Sequence, residues 1–393
     1  MSMDAPIPLE QVLRPGTVAR RITVGLPAVR SLSDHRFPFT PEGAGMLVDN
    51  GFSVKMEHDA AAHIHYSDTA YARHGVEIVS RAETLGADIV VSLSTLDSLD
   101  ARMVKRGALL LTMMSSALKD RESLAILQRR HVIALGLENL TVPGGKRPFS
   151  DIIHEIDGRA AIAVASSLLA DAVHGKGILL GGVAGVVPCE VMVTGSDVAA
   201  CAAARTALGL GAIVRMFDNN VYRLRDAMER LGAGVIGSTL HRKVYDSALV
   251  SADIVVVTDT EPPVTLTADR VDLMKRGVIC FDLTSEPGKA FPSIRHVDLD
   301  LATPSDTNPS EPVRMCYVNA ANTVPRTMAM ALSNTFVALL DDLIVCDGVA
   351  NALKLNQGLR RAAFLFLGKC VNAEAARVLG TRIVDINLFL QFS

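Results

Sequence analysis

Between Val191 and Asp218 the chain reads VMVTGSDVAACAAARTALGLGAIVRMFD. One apolar run breaks at Gly195, Ser196, Asp197, Val198, Ala199 and Ala200, and a second closes on Asp218. This is the outline of a strand, a tight turn, a helix and a second strand. A unit of that kind that holds a dinucleotide uses one glycine to turn off the strand, a second to let the backbone approach the pyrophosphate, and a third glycine or an alanine for close helix packing. Gly195 meets the first requirement and Ala200 the third, but Asp197 stands at the second. Its carboxylate would compete with a diphosphate for the N–H groups of the helix N-terminus. Asp218 falls where a carboxylate takes the 2′-hydroxyl of an adenosine ribose, which favours NAD over NADP. The candidate cofactor set is therefore Gly195, Ser196, Asp197, Val198 and Asp218, with NAD as the cofactor. The other reading of the same spacing is that Asp197 only caps a helix and Asp218 only ends a strand.

Such residues need parallel strands to position them. Runs rich in Val, Ile and Leu recur at RITVGLP (from Arg21), FSVKME (Phe52), ADIVVSL (Ala87), ALLLTM (Ala108) and HVIALGL (His131). A second series follows at CEVMVTG (Cys189), AIVRMFD (Ala212), GVIGSTL (Gly234), ADIVVVTD (Ala252), VICFDL (Val278) and RMCYVN (Arg314). Runs that are apolar almost throughout suit strands covered by helices on both faces. The two series predict an α/β fold of two Rossmann-like, doubly wound parallel-sheet domains with a cleft between them. Between the series, Ser150 is placed to cap a long bridging helix ending near Gly175. Pro325 opens another long helix, and the tail to Ser393 reads as helical. These last helices are expected to pack on the first domain. The expected division is 1–148 plus 323–393 for a discontinuous substrate domain and 149–322 for the NAD-binding domain. The polar stretch ATPSDTNPSEP, Ala302 to Pro312, reads as a loop.

The 393 residues are 49% hydrophobic and 21% charged, with a formal charge of −3. That length accommodates two ordinary cores. The charge balance does not point to nucleic acid or an anionic membrane, so the expected partner is a small molecule. With no tryptophan and 4% aromatic residues, stacking platforms for single-stranded nucleic acid are also missing. The opening MSMDAPIPLEQVLRPG lacks the form of a signal peptide, and no run has the length of a membrane helix, so a cytoplasmic location is expected. Cys189, Cys201, Cys280, Cys316, Cys346 and Cys370 form no C-x-x-C pair, the usage of a reduced compartment.

Two smaller groups carry chemistry-bearing side chains. His58, Asp59, His63 and His65 crowd one segment, but their spacing matches no common metal pattern and a polar loop is the preferred reading. No metal is expected. His154 would face a cleft between domains if its helix did, and an imidazole there can carry a proton. Cys280 and Cys316 fall in expected strands and read as core.

Several ordered segments resemble the alanine dehydrogenase and nicotinamide nucleotide transhydrogenase alpha-subunit family. They are GLPAVRSLSDHRFPFTPEG, GKGILLGGVAGVVPCEVMVTG, the ADIVVV strand, FDLTSEPGK and YVNAANTVPRTMAMALSN. The resemblance runs from about Arg21 to Asn334. It implies a split substrate domain with the cofactor domain inserted, dimers or hexamers, and an NAD-dependent exchange of L-alanine with pyruvate and ammonia. The family's substrate arginine falls on Arg36, which would hold a carboxylate, and Asn319, Pro325 and Asn334 follow the family pattern. The family's substrate lysine falls at Ser92 or Ser94, its acid/base histidine on Ser115, and its catalytic-side aspartate on Glu286, with Asp282 kept. The bridge segment IHEIDGR keeps Glu155, Gly158 and Arg159.

The resemblance thus implies Glu286, Ser115 and Ser94 at the catalytic positions and Arg36 and Asn319 at the substrate. Serine supplies neither the charge of lysine nor the proton transfer of imidazole near neutral pH. Two functions are open to such a chain. One is an NAD-dependent amino-acid oxidoreductase of alanine dehydrogenase type. The other is a catalytically degenerate paralogue that binds a small amino or oxo acid or assembles with an active homologue. A homo-oligomer is expected in both.

Overall fold

The computed structural model describes residues 21–30, 36–173, 175–299, 314–345 and 349–390. The expected loop 302–312, Cys346 and the amino-terminal segment 1–20 lie outside the described residues, as do residues 31–35 of the opening family segment.

Fifteen strands are described. They are β1 (Thr23–Leu26), β2 (Ser53–Glu57), β3 (Glu77–Val79), β4 (Ile89–Ser92), β5 (Leu109–Thr112), β6 (Ile133–Gly136), β7 (Glu190–Thr194) and β8 (Ile213–Phe217). Then follow β9 (Val235–Ser238), β10 (Ile254–Val257), β11 (Ile279–Asp282), β12 (Arg295–Asp298), β13 (Met315–Val318), β14 (Ala363–Phe366) and β15 (Lys369–Cys370). One sheet has the order β15-β14-β6-β5-β4-β1-β2-β3 and the other β12-β13-β11-β10-β7-β8-β9. Every pairing is parallel except those of β14 with β6 and with β15. All eleven expected strands are present. Their central members, such as Ile89–Ser92 and Ile254–Val257, are buried at every residue, as strands covered on both faces must be.

In the first sheet the chain runs outward from β1 through β2 and β3, then returns to the other side of β1 as β4. The second sheet repeats this, with β7 at its centre and β10 as the returning strand. Each reversal opens a crevice beyond the carboxyl ends of the two strands concerned, the usual place for a ligand in such sheets.

Five helices frame these crevices: α1 (Pro41–Asp49), α2 (Pro148–Ala170), α3 (Val198–Gly209), α4 (Val221–Leu231) and α5 (Pro325–Val345). Helix α2 differs from the expectation at both ends. It opens with Pro148 after Arg147, Ser150 is buried inside the first turn, and Asp171 closes it. Proline lacks only an N–H that the first turn cannot use, which makes it the stronger start signal. At the other end, the Asp171 carboxylate accepts the Val173 N–H at 2.8 Å, and this local turn stops the helix short of Gly175. Helices α2 and α3 touch backbone to backbone, since a Cβ added at Gly158 would lie 2.2 Å from the Ala199 carbonyl oxygen.

Helix α5 packs on the first sheet as expected: Met328, Leu332, Phe336 and Leu340 share a core with Phe39 and Phe149. The Asn50 amide also donates to Asp341 at 2.6 Å. The tail beyond it is not wholly helical. Residues Ala363–Phe366 and Lys369–Cys370 form a hairpin that extends the first sheet. The run AAFLFLGKC has no helical period, and Leu367 and Gly368 both take positive φ (46° and 85°), the conformation of a two-residue hairpin turn. The unexpected β3 is three residues long and β12 carries exposed Arg295 and His296, so neither presents an apolar run to read.

Candidate functional site

At the second crevice, strand β7 ends in a turn at Gly195, whose φ is 109°. A Cβ there would meet Thr258 Oγ1 at 2.0 Å, so glycine is needed for both conformation and space. Asp197 is the cap of α3, and its Oδ1 accepts the Ala200 N–H at 2.9 Å. Burial pushes the Asp197 carboxyl above the usual carboxylate range. The Ala200 N–H, His154 and the Thr258 hydroxyl pull it back, and Asp259 adds to the rise. One N–H of the helix N-terminus is therefore taken by a carboxylate of this same chain.

Asp218 has no exposed surface. Its Oδ1 accepts the Asn220 N–H at 2.8 Å, the Ser196 hydroxyl donates to its Oδ2, and the Arg223 guanidinium lies 3.9 Å away. Both oxygens are thus engaged within the protein. Beside them lies a cavity of about 570 Å³ lined by Ser196, Asp197 and Val198 together with Arg223, Asp259 and His154. Arg147, Asp151, Asp226, Arg230 and Glu261 complete the charged part of its wall. His154 does face this cavity from α2. Sequence reasoning missed Arg223, Asp226 and Arg230, although their three- and four-residue spacing in the amphipathic α4, directly after Asp218, puts them on one face.

The loop beyond β10 forms one side of the cavity and is tied to the loop beyond β11. Asp259 Oδ1 accepts the N–H and hydroxyl of Ser285 at 3.0 and 3.1 Å. Buried Asp282 organises the second loop through Thr284, Gly288 and Ala290. Glu286 lies on that loop with its side chain 66% exposed and pairs with Lys289 at 2.7 Å. Asn319 takes a left-handed conformation after β13, and its amide donates to Asp298 at 2.8 Å.

At the first crevice, Ser94 is buried and its carbonyl accepts the Ser92 hydroxyl at 3.1 Å. Ser115 is exposed. The neighbouring loops are joined by a hydrogen bond of 2.8 Å from the Thr95 hydroxyl to the Ser116 carbonyl. Glu138, which sequence reasoning also missed, accepts the N–H groups of Met114 and Ser115 at 2.9 and 2.7 Å. Arg36 acts electrostatically on half-buried Asp157 of α2. Burial raises the Asp157 carboxyl, against the Ala321 N–H, which donates to it at 2.6 Å, and against His154 and Arg36. Asp157 thereby ties α2 to the segment after Asn319.

The remaining candidates are dispersed. His58 lies 3.5 Å from Asp68, and His63 packs edge-on to Phe37 with ring centroids 6.3 Å apart. Among the described residues no three His, Cys, Asp or Glu side chains form a metal-ligand group. Cys280 and Cys316 are fully buried on neighbouring strands, and burial raises both thiols, Cys280 to about 12. Neither is poised as a nucleophile. Among the described residues no helix is long and apolar enough to cross a membrane.

The comparisons agree with this architecture. The chain is 27% identical over 377 residues to an alanine dehydrogenase of Staphylococcus saprophyticus, covering 94% of this chain and 100% of that protein. It is 27% identical over 383 residues to alanine dehydrogenase 2 of Staphylococcus aureus, strain Mu50, covering 94% and 99%. Among solved structures, an L-alanine dehydrogenase superposes with a TM-score of 0.79 at 23% identity, over 91% of this chain and 99% of that one. A transhydrogenase from Sinorhizobium meliloti gives 0.71 at 19% identity, over 89% and 99%. Residues 25–148 match the alanine dehydrogenase/PNT N-terminal domain and residues 161–373 the C-terminal domain. With both family domains matched in order on two doubly wound sheets, the chain belongs to the alanine dehydrogenase/PNT family.

Proposed function

We propose that this chain is a member of the family that holds a small amino or oxo acid without the family's NAD-dependent hydride transfer. The observation that carries this reading is the Asp197 carboxylate at the N-terminus of α3, hydrogen-bonded to Ala200. The residues at that subsite do not fit a dinucleotide in the usual mode. A diphosphate would need the helix N-terminus where the Asp197 carboxylate already accepts the Ala200 N–H, and a ribose would need an Asp218 that is buried and already bonded. Ser94 and Ser115 support the same reading, because neither supplies a cation or a proton carrier at neutral pH.

In this proposal Arg36 holds the carboxylate of the acid, within a substrate domain of residues 1–148 plus 323–393 beside a second domain of 149–322. A cytoplasmic homo-oligomer, or an assembly with an active homologue, is the setting it implies. Titration with pyruvate and with L-alanine tests the proposal. Wild type is expected to bind one of them and the Arg36→Ala variant to lose at least about tenfold in affinity, the scale of a charge-assisted pair. Equal affinity in both proteins would refute the role of Arg36.

One observation favours the alternative, an oxidoreductase interconverting L-alanine with pyruvate and ammonia: His154 lines the cavity beside Asp197 and carries the imidazole that Ser115 lacks. Under that reading Arg36 and Asn319 serve the substrate, Glu286 assists ammonia or water, and Asp218 holds the cofactor ribose. Alanine-dependent formation of NADH, abolished by His154→Ala, would establish it in place of the first.

A further inference from the structure

Strands β11, β13 and β12 lie side by side in parallel, with Ile279 opposite Met315 and Met315 opposite Arg295. That register gathers the arginines at their amino ends: Arg276 before β11, Arg314 before β13 and Arg295 at the start of β12. All three line one cavity of about 500 Å³, together with Asp272 and Ser293. Gly195 and Asp197 follow the carboxyl end of β7, which runs parallel to these strands through β10. The arginine cavity is therefore at the opposite end of the sheet from Asp197.

Three guanidinium groups around one cavity repel one another. Asp272 is the carboxylate in the cavity wall. It lies 3.3 Å from Arg314, but its side chain is 78% exposed, where water screens the pair. Among the described residues Arg276 and Arg295 pair with no carboxylate. Arg314 is fixed in place by donating to the Met274 carbonyl at 3.0 Å. Its Nε is buried with no hydrogen-bond partner among the described residues. A buried, unpaired N–H of a charged group is a cost that packing alone gives no reason to bear.

We infer that this cavity binds a phosphate dianion, free or as a monoester. The planar fork of arginine meets phosphate oxygens in pairs. The two guanidinium groups that pair with no carboxylate match the two charges of the dianion near neutral pH, whereas a carboxylate brings one charge for two cations. The Ser293 hydroxyl adds a neutral donor. The chain as a whole carries a formal charge of −3, so this local excess of cations is not a general property of its surface. The inference is independent of what the cavity at Asp197 holds.

Calorimetric titration of the full-length protein with inorganic phosphate and with glycerol 3-phosphate, near neutral pH at constant ionic strength, tests it. Wild type is expected to bind at least one of them saturably at millimolar concentration or below, and the tighter of the two names the source. The Arg276→Gln/Arg295→Gln double variant should bind at least about tenfold more weakly, the scale of a lost charge-assisted pair. Both side chains are exposed, so the fold should hold. No saturable heat from wild type with either probe overturns the inference, and so does a folded double variant that binds as wild type does. Should the double variant fail to fold, modification of wild-type arginines by phenylglyoxal, mapped by mass spectrometry, decides the matter. The tighter probe is expected to slow the reaction at Arg276 and Arg295, and equal rates with and without it overturn the inference.

Discussion

Replacing Asp197 with glycine should raise the affinity for NADH. The cost of the carboxylate can be bounded. A phosphate charge seated at the N-terminus of α3 would lie about 4 Å from it, and two unit charges at that distance interact by about 4 kcal/mol at an effective dielectric constant near 20. Burial raises the Asp197 carboxyl, which lowers its mean charge and reduces the repulsion, so about 2–4 kcal/mol is the expected gain. That corresponds to roughly 30- to 1,000-fold in affinity. Releasing the Ala200 N–H adds about 0.5–1.5 kcal/mol. The fold should tolerate the change, because glycine in place of a capping aspartate costs only a few tenths of a kcal/mol and no bulk enters the turn. The assay is NADH fluorescence titration of both proteins, with thermal melts as controls. Equal affinity in a folded Asp197→Gly variant would refute the reasoning.

The same carboxyl makes a pH prediction. With its value raised in the folded protein, Asp197 is protonated over a wider range than a free aspartate. NADH affinity should therefore increase as pH falls through the raised value, and Asp197→Asn should flatten that dependence in the same titration. Asp253 titrates in the opposite sense. Burial raises it, but Lys275, the Glu190 N–H and Lys176 outweigh burial and hold it low. The stability it supplies is present above the ordinary carboxylate range and lost as pH falls through the lowered value. Asp253→Asn should thus cost about 1–3 kcal/mol at pH 7 and shrink the difference from wild type in acid, as urea unfolding at several pH values would show. Gly158→Val would drive a side chain into the Ala199 and Ala203 backbone. A loss of about 2–3 kcal/mol is expected, and a melting temperature equal to wild type would contradict the α2–α3 contact.

The sequence made the sheets readable because the strands announce themselves. IVVV and LLLT stand between turn residues with no helical period, and burial on both faces requires such runs. Strand β12 was hidden by its exposed Arg295 and His296, and the β14–β15 hairpin by an apolar tail whose turn depends on backbone conformation at Leu367 and Gly368. The cofactor turn was legible at Gly195 and Asp197 because its requirements are steric and local. Glu138 was not, because its partners, the N–H groups of Met114 and Ser115, lie on a different loop and meet it only when β5 and β6 pair. Asp218 was readable as a carboxylate at a strand end. Its burial was not, since Ser196 reaches it only across the folded turn.

The most direct test of the central claim, that Asp197 holds the diphosphate subsite for the protein itself, is a calorimetric titration of wild type with NADH near neutral pH. The account predicts no saturable heat up to millimolar NADH. Saturable binding in the micromolar range would contradict it and favour the oxidoreductase reading.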